Sequence, residues 1–129
     1  MRRSTWTLVT IVLAGGLIAL PVLAAGPSAT KTVIGTENGT AVIVINVAAS
    51  GQAIYGVNIK DESGSIKDIV APKEWVGISS GDEVIFRTGA KPIQPGSTLS
   101  FRVYTGNEGA QLSVSFRDKD SPIGSGTTL

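Results

Sequence analysis

Asp118 and Asp120 near the end of the chain are the residues whose types and spacing most resemble a metal site. Two carboxylates this close, completed by backbone carbonyl oxygens, could bind calcium. Lys119 lies between them, and a small, polar, Gly- and Ser-rich segment follows. The pair is therefore interpreted either as a weak calcium candidate or, preferentially, as a solvated strand end.

Trp75, Tyr55 and Tyr104 could perform a different task, because a flat apolar ring stacks on the face of a sugar. These residues are the candidate ligand-binding residues. Only six aromatic residues follow residue 24, and a domain of this size uses most of its aromatic side chains in the core. Trp75 is therefore interpreted first as a core residue and second as a binding platform.

The tripeptide Asn38-Gly39-Thr40 fits the acceptor pattern for N-glycosylation. Asn-Gly is also a favoured pair for a two-residue β-turn, which explains the same residues without modification. Asn38 is therefore a candidate glycosylation site with the turn as its alternative.

Most catalytic chemistry is excluded by composition, since the chain has no His and no Cys. Ser-His-Asp triads, imidazole ligands for zinc, thiolate nucleophiles and iron–sulfur clusters all need one of these residues. No phosphate-binding glycine motif is present. The sequence predicts a protein that is not an enzyme and needs no cofactor. A net charge of +1 also provides no basic field for nucleic acid.

Residues 1–24 have the pattern of a signal peptide: a positive start at Arg2 and Arg3, an apolar run from Trp6 to Leu20, and small residues before a cleavage point after Ala24. The alternative is a retained N-terminal membrane anchor, since the apolar stretch barely reaches the roughly 20 residues of a membrane span. Both interpretations predict an extracellular or cell-surface domain. Contact with a membrane is expected only through an uncleaved leader.

The rest of the chain has the period of two that is typical of β-strands. Residues 41–47, 54–59, 66–70, 75–79, 83–87, 99–104 and 112–117 are predicted strands. Ser80-Gly81-Asp82 predicts a hairpin, Gly106 to Gly109 predicts a second one, and 59–61 with 66–68 are interpreted as the arms of a third. The nearly continuous apolar run 41–47 indicates a strand covered on both faces or covered by a partner.

These patterns predict an all-β fold, a single antiparallel β-sandwich of about 7–8 strands preceded by a hydrophobic leader helix. The expected organisation is an N-terminal extended segment (25–40), a sandwich domain (41–118) and a flexible C-terminal tail (119–129). The double-proline segment 90–96 is expected to connect the sheets.

Trp75, the Gly81-Asp82 turn and the run from Pro92 to Phe101 resemble small immunoglobulin-like β-sandwich modules of secreted and cell-surface prokaryotic proteins. The resemblance covers about residues 54–118. It implies that the Trp is in the core and that the Pro-Gly turn leads into a late strand. Many such modules have Gly before the Trp, whereas this chain has Glu74.

Two classes of function remain. The first is an exported structural or adhesive surface protein, possibly a filament subunit in which residues 25–35 of one chain complete the sheet of the next. The second is an extracellular ligand-binding module for a glycan or a protein. The expected partner is accordingly another copy, another surface protein or a ligand.

Overall fold

The computed structural model describes residues 26–129, which form strands and loops without a helix. Residues 26–129 therefore contain no helical segment that could span a membrane. The predicted leader, residues 1–24, lies outside the described residues. The strands are β1 (Ser28–Glu37), β2 (Thr40–Ala48), β3 (Gly56–Asp61), β4 (Ile66–Val70), β5 (Val76–Ser80), β6 (Glu83–Arg87), β7 (Thr98–Thr105), β8 (Leu112–Arg117) and β9 (Pro122–Thr128).

The strands form two antiparallel sheets that pack face to face. One sheet has four strands in the order β1-β2-β7-β4, and the other has five in the order β5-β6-β3-β8-β9. Alternate side chains of each strand point between the sheets, because successive residues of a strand face opposite sides. The predicted all-β sandwich is confirmed, with nine strands in the described residues instead of 7–8.

The core between the sheets is one apolar cluster in which Phe86, Phe101 and Phe116 are fully buried. Trp75 belongs to this cluster, and its ring meets Phe101 edge-on at 5.1 Å between ring centroids. Such aromatic pairs contribute about 0.5–1.5 kcal/mol beyond the burial of their surface.

Both ends of the described chain belong to the sandwich. The sequence predicts a separate N-terminal segment and a flexible tail, but residues 28–37 pair with β2 and residues 122–128 pair with β8. Pairing satisfies the backbone N–H and C=O groups of β2 and β8, so it does not require an apolar segment. Lys31 of β1 links the two sheets, since its Nζ donates hydrogen bonds to the carbonyls of Ala110 (2.9 Å) before β8 and Leu129 (3.4 Å) after β9.

The predicted hairpin at Gly81-Asp82 is confirmed, because Ser80 pairs with Glu83 across a two-residue turn. The other two predicted hairpins are wrong. β3 and β4 lie in different sheets, and so do β7 and β8. Residues 106–111 cross the gap of about 10 Å between the sheets instead of folding β8 back onto β7. Period-two patterns mark a buried face without identifying the strand that pairs beside it.

The apolar run in β2 is covered within the chain itself. Ile43, Ile45 and Val47 are fully buried between the sheets, whereas Val42 and Val44 point outward. Val42 is still only 6% exposed, since β1 and β7 flank β2 on both sides. Residues 28–37 therefore fill the place beside β2 that the filament hypothesis assigns to a neighbouring chain.

Candidate functional site

The outward side chains of β2 and β7 form the candidate site, which we call the β2/β7 face. Antiparallel register pairs Val42 with Tyr104, Val44 with Arg102 and Asn46 with Ser100. Directly opposed side chains on one face of a sheet lie about 4.5–5.5 Å apart at their Cβ atoms. The register therefore brings an aromatic ring, a guanidinium, an amide, a hydroxyl and two valine side chains together on one face of the sheet.

A cleft of about 500 Å³ opens on this face between β7 and the segment that follows β4. Its size lies within the range of about 300–1,000 Å³ that is typical of small-molecule sites. Val44 lies in it, Arg102 and Ser100 supply polar groups, and Pro72 belongs to the opposite wall. The cleft therefore combines an aliphatic surface with hydrogen-bonding groups.

The polar groups of the β2/β7 face are arranged to bind further partners. Ser100 Oγ donates to Asn46 Oδ1 at 2.5 Å, which leaves the Asn46 amide N–H groups available as donors. Arg102 is exposed and forms no ion pair with another side chain of residues 26–129. Its guanidinium can donate up to five hydrogen bonds to a polar ligand.

Trp75 lies on no exposed face. It is 6% exposed, and its indole Nε1 donates to the carbonyl of Lys91 at 2.9 Å. Glu74, which precedes it, has φ = 67° and so adopts the left-handed conformation that favours glycine. The structure supports the core interpretation of Trp75 over the platform interpretation.

Tyr55 and Tyr104 lie on different parts of the sandwich. Tyr55 directly precedes β3 of the five-stranded sheet, and Lys119 Nζ lies 5.3 Å from the centroid of its ring. This cation already occupies one face of the ring. Tyr104 is half-buried on the four-stranded sheet, beside Val42 and Asp68. The three aromatic candidates therefore do not form a common platform, and Tyr104 alone belongs to the β2/β7 face.

Asp118 closes a turn. Its Oδ1 accepts hydrogen bonds from the backbone N–H groups of Ser121 (2.7 Å) and Asp120 (2.8 Å), which hold its pKa below the ordinary value. Asp120 contributes its carbonyl, which accepts a hydrogen bond from Arg117. No group of three acidic, His or Cys side chains within residues 26–129 could hold a metal ion. Asp118 is therefore part of the turn, and calcium binding by Asp118 and Asp120 stays a prediction.

Asn38 and Gly39 form the turn between β1 and β2, with φ values of 54° and 79°. Positive φ at both central residues is the geometry for which Asn-Gly is favoured. Asn38 is exposed at the tip, and its glycosylation stays a prediction.

Asp61 is a buried carboxylate whose function is structural. Its Oδ1 accepts the backbone N–H and the hydroxyl of Ser63, at 2.9 and 2.6 Å, and its Oδ2 accepts the same two groups of Ser65. Burial opposes ionisation, but these four hydrogen bonds outweigh it and lower the pKa of Asp61. The alternation of Asp61, Ser63 and Ser65 is the sequence signal for this network, which holds the loop that leads from one sheet to the other.

Comparisons with known proteins identify the fold. No protein-family model and no curated protein sequence matches the chain. Among solved structures, an uncharacterised protein from Nocardia farcinica described as having an immunoglobulin-like fold is similar with a TM-score of 0.62 and 13% identity, over 78% of this chain and 95% of that one.

Two further structures are similar at the level of the fold. ChBD2 from Thermococcus kodakarensis has a TM-score of 0.52 and 18% identity, over 81% of this chain and 100% of that one. The chitin-binding domain of Chi18aC from Streptomyces coelicolor has a TM-score of 0.50 and 16% identity, over 69% and 91%. Residues 26–129 therefore have the fold of a small immunoglobulin-like β-sandwich.

Proposed function

We propose that this chain is an extracellular, non-catalytic module that binds a glycan on its β2/β7 face. The observation that carries the proposal is the cleft of about 500 Å³, in which the aliphatic Val44 lies beside the polar side chains of Arg102 and Ser100. The extracellular location depends on the predicted leader, residues 1–24.

A pyranose ring presents two kinds of surface, a face of C–H groups and a rim of hydroxyls, and the β2/β7 face offers a partner for each. The ring of Tyr104 and the side chain of Val44 can contact the C–H face. Arg102 and Asn46 can donate hydrogen bonds to hydroxyl oxygens, and Ser100 Oγ can accept one. Because two neighbouring strands fix the backbone at these positions, the entropy lost on binding is that of the side chains, chiefly of the exposed Arg102.

The comparisons support a binding function only through the similarity of the fold. One similar structure is named as a chitin-binding domain, which makes a polysaccharide a reasonable first ligand to test. The filament-subunit hypothesis is the weaker proposal, because residues 28–37 pair with β2 of their own chain.

Retention on insoluble polysaccharide tests the proposal, with chitin and cellulose as the probes. Residues 26–129, which contain all nine strands and the core, are compared with Tyr104→Ala and Arg102→Ala. Tyr55→Ala and Arg87→Ala remove the same side-chain types from the other sheet and are the matched controls. We expect retention of the unaltered protein and both controls, and loss of retention in the two site variants.

Two results would contradict the proposal. Equal retention of all five proteins would show that binding does not use the β2/β7 face. If the unaltered protein is not retained on any of a panel of neutral and acidic polysaccharides, the proposal that the ligand is a glycan is refuted. Arg102 is exposed, so Arg102→Ala is expected to keep its thermal midpoint. Loss of retention in this variant cannot then be attributed to unfolding.

A further inference from the structure

Within residues 26–129 the two open sheets have four edge strands, β1, β4, β5 and β9, and an edge strand presents unpaired backbone groups to other chains. Three edges have features that hinder such pairing. β1 has a bulge between Val33 and Gly35. β4 has a register shift and the charged residues Lys67 and Asp68. β9 begins with Pro122 and shifts register against β8.

β5 has none of these features. Val76–Ser80 contains no charged residue and no proline, and it pairs with β6 without a register shift. Val76 and Ile78 point away from the core and are 63% and 58% exposed. Regular, uncharged and apolar edge strands are those expected to pair with another strand.

We propose that β5 pairs antiparallel with β5 of a second copy of this chain, forming a continuous ten-stranded sheet across a two-fold axis. This inference is independent of the glycan site, which lies on the other sheet.

The residues along β5 make this strand complementary to a second copy of itself. With the axis at Ile78, Val76 lies opposite Ser80 of the second copy, and Ile78 lies opposite its own equivalent. Arg87 is the β6 neighbour of Val76, and Glu83 is the β6 neighbour of Ser80. Arg87 of one copy and Glu83 of the other then share a row but lie three strand spacings, about 14 Å, apart, so they do not form an ion pair. The complementarity lies in the apolar side chains, because Ile78 faces its equivalent and has Val76 of the second copy as its diagonal neighbour.

The strength of the pairing follows from the length of the strand. Five residues on each side bury less than the roughly 1,200 Å² that is typical of stable complexes. The equilibrium is therefore expected to depend on protein concentration, with monomers at low concentration and dimers at high concentration.

Sedimentation of residues 26–129 over a range of concentrations tests the proposal. Ile78→Lys places a charge at the axis, and Ile34→Lys makes the same kind of change at an exposed apolar position on β1, the edge strand farthest from β5. We expect dimers in the unaltered protein and in Ile34→Lys, and only monomers in Ile78→Lys.

Cross-linking provides a test that does not depend on a disruptive substitution. The chain has no Cys, so Ile78→Cys can form only an intermolecular disulfide, and Ile34→Cys on β1 is its control. We expect covalent dimers from Ile78→Cys at concentrations where the unaltered protein is dimeric, and few from Ile34→Cys. A protein that stays monomeric at every concentration, a dimer that persists in Ile78→Lys, or equal cross-linking of both Cys variants would overturn the proposal.

Discussion

Gly77→Ala tests how tightly the two sheets close at one side of the sandwich. Gly77 lies on β5 with its Cα hydrogens toward the core, and it does not have a positive φ. An added Cβ would lie 2.8 Å from Ile69 Cδ1 and 2.9 and 3.0 Å from two ring carbons of Phe86. These distances are too short for carbon atoms, so glycine is required here by space and not by backbone conformation.

The expected cost follows from two opposing terms. Overpacking a filled core destabilises by about 1–3 kcal/mol, whereas replacing a strand glycine with alanine recovers roughly 0.5–1 kcal/mol of backbone entropy. Phe86 is fully buried and cannot move into solvent, so the steric term prevails. We expect Gly77→Ala to lower the free energy of unfolding by about 1–2 kcal/mol in urea denaturation.

A double-mutant cycle locates the clash. Ile69→Val removes Cδ1, the atom nearest to the added methyl, so its effect in the Gly77→Ala background should be more favourable than in the unaltered protein by about 0.5–1 kcal/mol. Gly89→Ala is the matched control, because a Cβ there meets nothing within 4 Å. If Gly77→Ala is as stable as the unaltered protein, or if the two substitutions are additive, the reasoning about this contact is refuted.

Two further predictions concern the loops. Glu74→Gly should raise the thermal midpoint, because Glu74 has φ = 67°, a conformation that costs a non-glycine residue on the order of 1 kcal/mol. Glu74→Ala keeps this strained conformation, so an equal rise in the thermal midpoint of Glu74→Ala would refute the explanation. The pKa of Asp61 is lowered in the folded state, so this carboxylate stabilises the fold at pH values above its ordinary pKa of 3.8. The stabilisation is lost as the pH falls through the lower pKa of the folded state. Urea titrations at several acidic pH values should therefore show that the free energy of unfolding depends less on pH in Asp61→Asn, and an unchanged dependence would contradict the assignment.

The sequence predicts single strands well and their partners poorly. β4, β6 and β8 have the bounds predicted from the sequence. In β6 and β8 buried residues alternate with more exposed ones, whereas the register shift between Ile66 and Asp68 interrupts the alternation in β4. Alternation is compatible with any neighbouring strand, which is why the sequence predicts β8 beside β7 although β8 lies between β3 and β9. β9 has Ile123 as its only large apolar residue, so its pairing through the backbone left no hydrophobic pattern to detect.

In the candidate site, too, single residues can be recognised from the sequence, whereas their neighbours depend on how the strands pair. Tyr104 could be selected from the sequence because an aromatic ring has a recognisable use on a surface. Arg102 and Ser100 alternate with core residues and could be recognised as outward-facing, but their neighbours could not. Only the pairing of β2 with β7 brings Val44 and Asn46 beside them.

The two proposals have a joint consequence that can be measured. A two-fold axis between antiparallel strands is perpendicular to the sheet, so the β2/β7 faces of both copies would point to the same side. Ile69 of β4 lies against Gly77 of β5, so the cleft beside β4 would be near the axis in each copy. A polymeric glycan could then contact both clefts, and such bivalence strengthens binding by up to about 10²–10⁴-fold. Ile78→Lys should therefore weaken retention on an insoluble polysaccharide and leave the affinity for a short soluble oligosaccharide unchanged. A parallel loss of both would show that β5 contributes to the binding site itself, which would contradict the separation of the two surfaces.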